Sequence, residues 1–156
     1  YPGDVVHIEL APRIAGYSAG IMRCVTIGKP APTLAAAAET LIALQDKQIA
    51  AMRPGARAHD VDAILRDGVI RSGLRPSYDN ITGYTLGLYA PQTPRTSDFT
   101  RTLHPGADWT IEAGMVFHIY ASAGGASISE TVLVSEDGPE LLTRFPRGLI
   151  INDIGN

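Results

Sequence analysis

The stretch Gly114-Met115-Val116-Phe117-His118-Ile119-Tyr120-Ala121, followed beyond Gly124-Gly125 by Ile128-Ser129-Glu130-Thr131-Val132-Leu133-Val134, decides how this chain is read. Glu112-Ala113-Gly114 supplies a turn, and Met115 to Ala121 is an apolar, β-branched and aromatic run of strand length. The glycine pair marks the next turn and Ile128 to Val134 the next strand. Glu136-Asp137-Gly138-Pro139 then closes a hairpin-like arm. Side chains two apart in a strand share a face. His118 therefore goes with Tyr120 and Ser127 with Ser129, while Glu130 faces away from the two serines.

Upstream, Val5 to Leu10 reads as a strand between Pro2-Gly3 and Pro12, with His7 and Glu9 on one face. Ile14 to Ile27 is a second strand-rich stretch, bent at Gly16 and Gly20 and closed by the turn Gly28-Lys29-Pro30. Thr33 is expected to cap a helix running to about Met52, because Leu34, Ala38, Leu41, Ile42, Ile49 and Met52 recur at helical spacing. After the Arg53-Pro54-Gly55 break, Val61, Ile64, Leu65 and Val69 predict a second helix from about Asp60 to Ser72, stopped by Gly73. Leu86 to Pro94 reads as irregular. Each helix has one apolar stripe, so both should lie on a sheet, which makes the fold class α+β.

The 156 residues fit one domain with a core of its own. Thirteen basic residues are scattered within a net charge of -3, which gives no footprint for nucleic acid or an anionic membrane. No apolar run is long enough to span a bilayer. The single cysteine, Cys24, excludes an internal disulfide framework and fits a buried thiol in a reducing, hence cytoplasmic, compartment. Tyr1-Pro2-Gly3-Asp4 leads at once into an apolar strand expected to be buried. That leaves no room for elements to cover it, so the amino-terminal part of the domain is expected to be missing.

Three segments carry a likeness. They are Gly3-Asp4-Val5-Val6 through Gly16-Tyr17 to Arg23; Gly83-Tyr84-Thr85-Leu86-Gly87-Leu88; and Gly114-Met115-Val116-Phe117 with Ser129-Glu130-Thr131-Val132-Leu133-Val134-Ser135-Glu136-Asp137-Gly138. In order and spacing they resemble the pita-bread family of creatinase, Xaa-Pro peptidases and methionine aminopeptidases. The resemblance implies that residues 1–156 are the carboxy-terminal part of such a catalytic domain. Its sheet would be curved and mostly antiparallel, with helices on the outer face and the site in the concavity. Metal-dependent members hold two divalent cations with two aspartates, a histidine and two glutamates, and the matching positions here are Glu9, Gly20, Tyr84, Tyr120 and Ser129. Two hard cations need several oxygen or nitrogen donors and bridging carboxylates, and one carboxylate cannot supply that set. The expectation is therefore no metal and no cofactor, and a likeness to the metal-free creatinase and ectoine-hydrolase type, which hydrolyses a C–N bond in a small amide or amidine.

On that likeness Glu9, His118 and Glu130 are the candidate catalytic residues, and His7, Arg23, Tyr84 and Tyr120 the candidate substrate-binding residues. His118 titrates near neutrality and suits a general acid or base, unless it is a satisfied core histidine. Glu9 orients it or activates water, or simply balances Arg23, whose planar fork also suits a substrate carboxylate. His7, Glu9 and His118 also imitate a two-histidine, one-carboxylate metal triad. His59 and His104 are read as surface residues. Two other functions stand beside the hydrolase: a non-catalytic binding module, and a metal-dependent Xaa-Pro peptidase. Expected partners are a small-molecule substrate and a second copy of the chain, the missing segment, or both.

Overall fold

The computed structural model describes residues 1–88, 97 and 99–153. In chain order these form β1 (Val5–Leu10), β2 (Arg13–Ile14), β3 (Tyr17–Ser18), β4 (Ile21–Ile27), α1 (Pro32–Ala51), α2 (Ala58–Arg71), β5 (Gly83–Leu86), β6 (Thr102–Leu103), β7 (Val116–Ala123), β8 (Ala126–Ser135), β9 (Gly138–Leu141) and β10 (Ile150–Asn152). The main sheet runs β1-β4-β8-β7-β5-β6, with every neighbouring pair antiparallel. β9 adds to β8, and β10 runs parallel to the end of β4. The fold class read from the sequence is thus what the chain adopts.

The β7–β8 hairpin is the centre of the sheet, and its turn explains the glycine pair. Gly124 and Gly125 both hold positive φ, 58° and 80°, as a two-residue turn matching strand twist requires. A Cβ at Gly124 would also sit 2.7 Å from the Ala37 Cβ of α1, so the helix packs directly on the turn. Glu136-Asp137 does not end the arm as expected. It turns the chain back, so that Ser135 pairs with Gly138 and β9 extends the sheet.

Both helices cover one face. Phe117, Ile119, Val132 and Val134 pack against Ile49, Met52, Ala58 and Val61. Ala121, Ala123, Ala126 and Ile128 pack against Leu34, Ala38, Leu41, Leu65 and Val69. Two details differ from the sequence expectation. Thr33 caps nothing: Ala31 is the N-cap and Pro32 opens α1, its fixed φ suiting a first turn whose N–H groups lack helical partners. α2 begins at Ala58, ahead of Asp60. Gly73, with φ 75°, ends α2 as expected.

β1 corrects a larger expectation. It was read as buried, yet from Val6 to Leu10 it is exposed, because it is hydrogen-bonded only to β4, on one side, among the described residues. The irregular stretch expected from Leu86 to Pro94 lies outside the described residues beyond Leu88. No helix is long and apolar enough to cross a membrane among the described residues.

Candidate active site

The face of the sheet away from the helices carries the polar side chains, and strand register assembles them. Tyr84 of β5 lies opposite His118 of β7, His118 opposite Thr131 of β8, and Tyr120 opposite Ser129. On the other side of β8, Ser129 lies opposite Met22, and Met22 opposite Glu9 of β1. Period-2 alternation therefore places Tyr84, His118, Tyr120, Ser129 and Glu9 on one surface.

His118 is the hub. Its Nδ1 is 2.7 Å from the Tyr84 hydroxyl and its Nε2 is 2.7 Å from Ser129 Oγ. Each hydroxyl can donate or accept, so the network is satisfied with the proton on either ring nitrogen. Burial pushes the His118 pKa down to about 4, so the imidazole is neutral at neutral pH. The ring fills the room beside Gly20: a Cβ there would lie 2.6–2.8 Å from three of its atoms. Thr131 fixes the Gly20 backbone, its Oγ1 accepting the Gly20 N–H at 2.8 Å and donating to the Gly20 carbonyl at 2.9 Å.

Aromatic rings extend the hub toward open surface. Tyr84 contacts Phe99 at 4.7 Å between centroids and Tyr120 at 6.2 Å. Phe99 holds φ 58°, a conformation rare for a bulky side chain. Burial, with Glu9 and the acidic hydroxyls of Tyr78 and Tyr84 opposing ionisation, pushes the Tyr120 phenol up to about 12, so it stays protonated. An adjoining cavity of about 310 Å³ has no charged lining residue and is bounded by Ser18, Leu86, Val116 and Thr131 among others.

The other candidates are placed as follows. His7 lies one row along the same face, with Nδ1 2.7 Å from Ser127 Oγ and 3.4 Å from Cys24 Sγ, apart from the His118 network. Glu9 is exposed and faces Met22 rather than Arg23. Arg23 and Glu130 are corrections. Alternation turns both to the helix side of the sheet, where Arg23 Nη2 meets Glu130 Oε1 at 2.8 Å with the pair almost fully buried. Thr143 donates to the other Glu130 oxygen, and Arg147 Nε lies 3.1 Å from Oε1. Neither side chain reaches the polar face. The two-histidine triad also fails: both His118 nitrogens are engaged, and among the described residues no three His, Cys, Asp or Glu side chains converge. His59 and His104 are half-buried rather than on open surface.

Sequence reasoning passed over Ser129, Gly20 and Phe99 as parts of the site. Ser129 and Gly20 were named only as altered ligand positions. Phe99 had no signal at all, because a loop aromatic has no period to place it.

A mostly antiparallel sheet with a polar site on one face and helices on the other defines a protein of the pita-bread class. The chain belongs to metallopeptidase family M24, whose model matches residues 1–136. It is 30% identical over 149 residues to the Xaa-Pro dipeptidase of Pyrococcus horikoshii, covering 95% of this chain and 42% of that protein. It is 28% identical over 158 residues to the ectoine hydrolase of Halomonas elongata, covering 96% and 38%. The crystal structure of dipeptidase PepE from Mycobacterium ulcerans superposes with a TM-score of 0.87 at 28% identity, covering 99% of this chain and 41% of that one. The chain thus spans about two fifths of the length of these relatives.

The family name implies metal, and the donor set here does not fit a metal pair. One exposed carboxylate, two phenols, a buried hydroxyl and a glycine supply too few anionic donors to hold two hard cations. The imidazole of His118 moreover occupies the room a side chain at position 20 would need.

Proposed function

We propose that this face is the active site of a hydrolase that cleaves a C–N bond in a small amide or amidine without a metal pair. The observation that carries the reading is the His118 ring, seated beside Gly20 and hydrogen-bonded to Tyr84 and Ser129. Two positions matching metal ligands, Tyr84 and Ser129, form one neutral hydrogen-bonded unit with His118, and a third, Gly20, makes room for the ring. Both nitrogens of His118 are occupied, so it positions other groups rather than touching substrate. With Ser129 O–H donating to Nε2, Nδ1–H donates to the Tyr84 phenol oxygen, and the Tyr84 O–H turns to the substrate when one is bound. Glu9 takes a proton from water as its oxygen attacks the amide or amidine carbon. Tyr84 donates a hydrogen bond to the heteroatom that gains negative charge. The proton on Glu9 passes to the departing nitrogen as the C–N bond breaks. The uncharged cavity beside Thr131 offers space for the rest of the substrate.

The test is amine release by the full-length protein from a panel of small amides and amidines. Turnover is expected to survive chelation and to gain nothing from manganese or cobalt, and Glu9→Gln should slow it by about 10²-fold or more. A large gain with either metal overturns the metal-free reading. One observation favours a binding module instead: His118 is only 2% exposed and fully satisfied. Specific binding without turnover across the panel would establish that second reading.

A further inference from the structure

The open part of this face has a chemical bias. Phe99, Tyr84 and Tyr120 form a continuous strip of rings, with centroid separations of 4.7 and 6.2 Å. Phe99 is 40% exposed and the two tyrosines are half-buried, so ring surface remains open to a ligand. Beyond Tyr120, on the same face and in register with it through Ser129 and Met22, stands Glu9, an exposed carboxylate. The guanidinium expected here, Arg23, is on the far face and committed to Glu130. Aromatic faces carry negative quadrupole charge and attract cations, and a nearby carboxylate adds to that attraction.

We infer that the strip from Phe99 through Tyr84 and Tyr120 to Glu9 binds a small organic cation, an ammonium or amidinium group, in preference to a neutral analogue of the same shape. The inference rests on this face being the substrate site and names the class of substrate it takes. Two cation chemistries separate along the strip. A quaternary ammonium has no N–H to give Glu9 and depends on the rings. An amidinium can form a two-pronged pair with the carboxylate and depends on Glu9.

The experiment is equilibrium binding, by ligand-observed NMR on the full-length protein, of tetramethylammonium against tert-butanol and of acetamidinium against acetamide. Each cation is expected to bind about two- to thirty-fold tighter than its neutral counterpart, the range of cation–π contributions. Phe99→Leu should weaken tetramethylammonium most, and Glu9→Gln should weaken acetamidinium most. Both positions are exposed, so circular dichroism should show an unchanged fold in each variant. Equal affinity for cation and neutral analogue overturns the inference, as does cation binding that neither variant alters. The assay needs no turnover. Cation binding with no hydrolysis would therefore sink the hydrolase reading alone, and hydrolysis without cation preference would sink this one alone.

Discussion

At the scale of single residues, Gly20 and His118 are one feature. The imidazole occupies the position of a side chain that residue 20 does not have, so adding a single carbon there forces the ring out of place. Gly20→Ala is expected to cost about 1–3 kcal/mol, the usual penalty for overpacking, and to break the bonds to Tyr84 and Ser129. Urea denaturation reads the first effect and the imidazole 15N shifts read the second. A variant with wild-type stability and unchanged shifts would show that the ring has room to spare. His118 also makes a pH prediction. Its native pKa of about 4 lies below the ordinary 6.5, so the unfolded chain binds the proton more readily. The stability is fully present above pH 6.5 and is lost as pH falls toward 4, by on the order of 3 kcal/mol. Carboxylates titrate in part of the same range, so His118→Gln is the comparison. The difference between wild type and variant should shrink on acidification across that window, and parallel curves would refute the assignment.

At the scale of elements, the strands show what the sequence disclosed and what it withheld. Alternation along β7 and β8 correctly separated His118 and Tyr120 from Phe117 and Ile119, and it already turned Glu130 away from Ser127 and Ser129. Retaining Glu130 as catalytic went against that period, and the period was right. Arg23 was misplaced because its partner is 107 residues away in the chain, and no local pattern reports such a pairing. α1 shows the same limit. Its apolar stripe was legible, but Gln45 and Gln48 lie buried within it, held by the carbonyls of Ile119 and Ile128 and by the Thr82 hydroxyl. A polar residue in an apolar stripe is invisible to hydrophobic periodicity. The Arg23–Glu130 pair yields a prediction at this scale. Removing one partner of a buried pair strands the other charge, so Glu130→Gln should cost about 3–5 kcal/mol. Chemical denaturation of the variant measures it. Loss of turnover with wild-type stability would instead return Glu130 to a catalytic role.

At the scale of the whole molecule, the edge of the sheet raises the remaining question. β1 leaves Val6, Ile8 and Leu10 at 45%, 41% and 58% exposure. Ile8 and Leu10 join Ile21, Phe145 and Ile150 around a cavity of about 380 Å³ that is almost wholly apolar. A bare strand edge offers a row of backbone donors and acceptors to any neighbouring chain, and edges of this kind are normally shielded by charge, proline or covering structure. Here the residues flanking the cavity are apolar except Arg23, whose charge is already paired with Glu130, which favours contact over shielding. We propose that this edge is an association surface, occupied by a second copy of the chain or by a further segment of the same protein. A lysine placed there is strongly disfavoured against apolar contact yet harmless in water, so Ile8→Lys with Leu10→Lys separates the two states. In sedimentation of the isolated chain, the wild type is expected to self-associate and the double variant to run as a monomer. In the full-length protein, association between copies predicts the same shift. Cover from within the chain predicts instead a lower unfolding midpoint at constant mass. A wild-type chain that sediments as a stable monomer, with a full-length double variant unchanged in mass and midpoint, would show that β1 needs no cover.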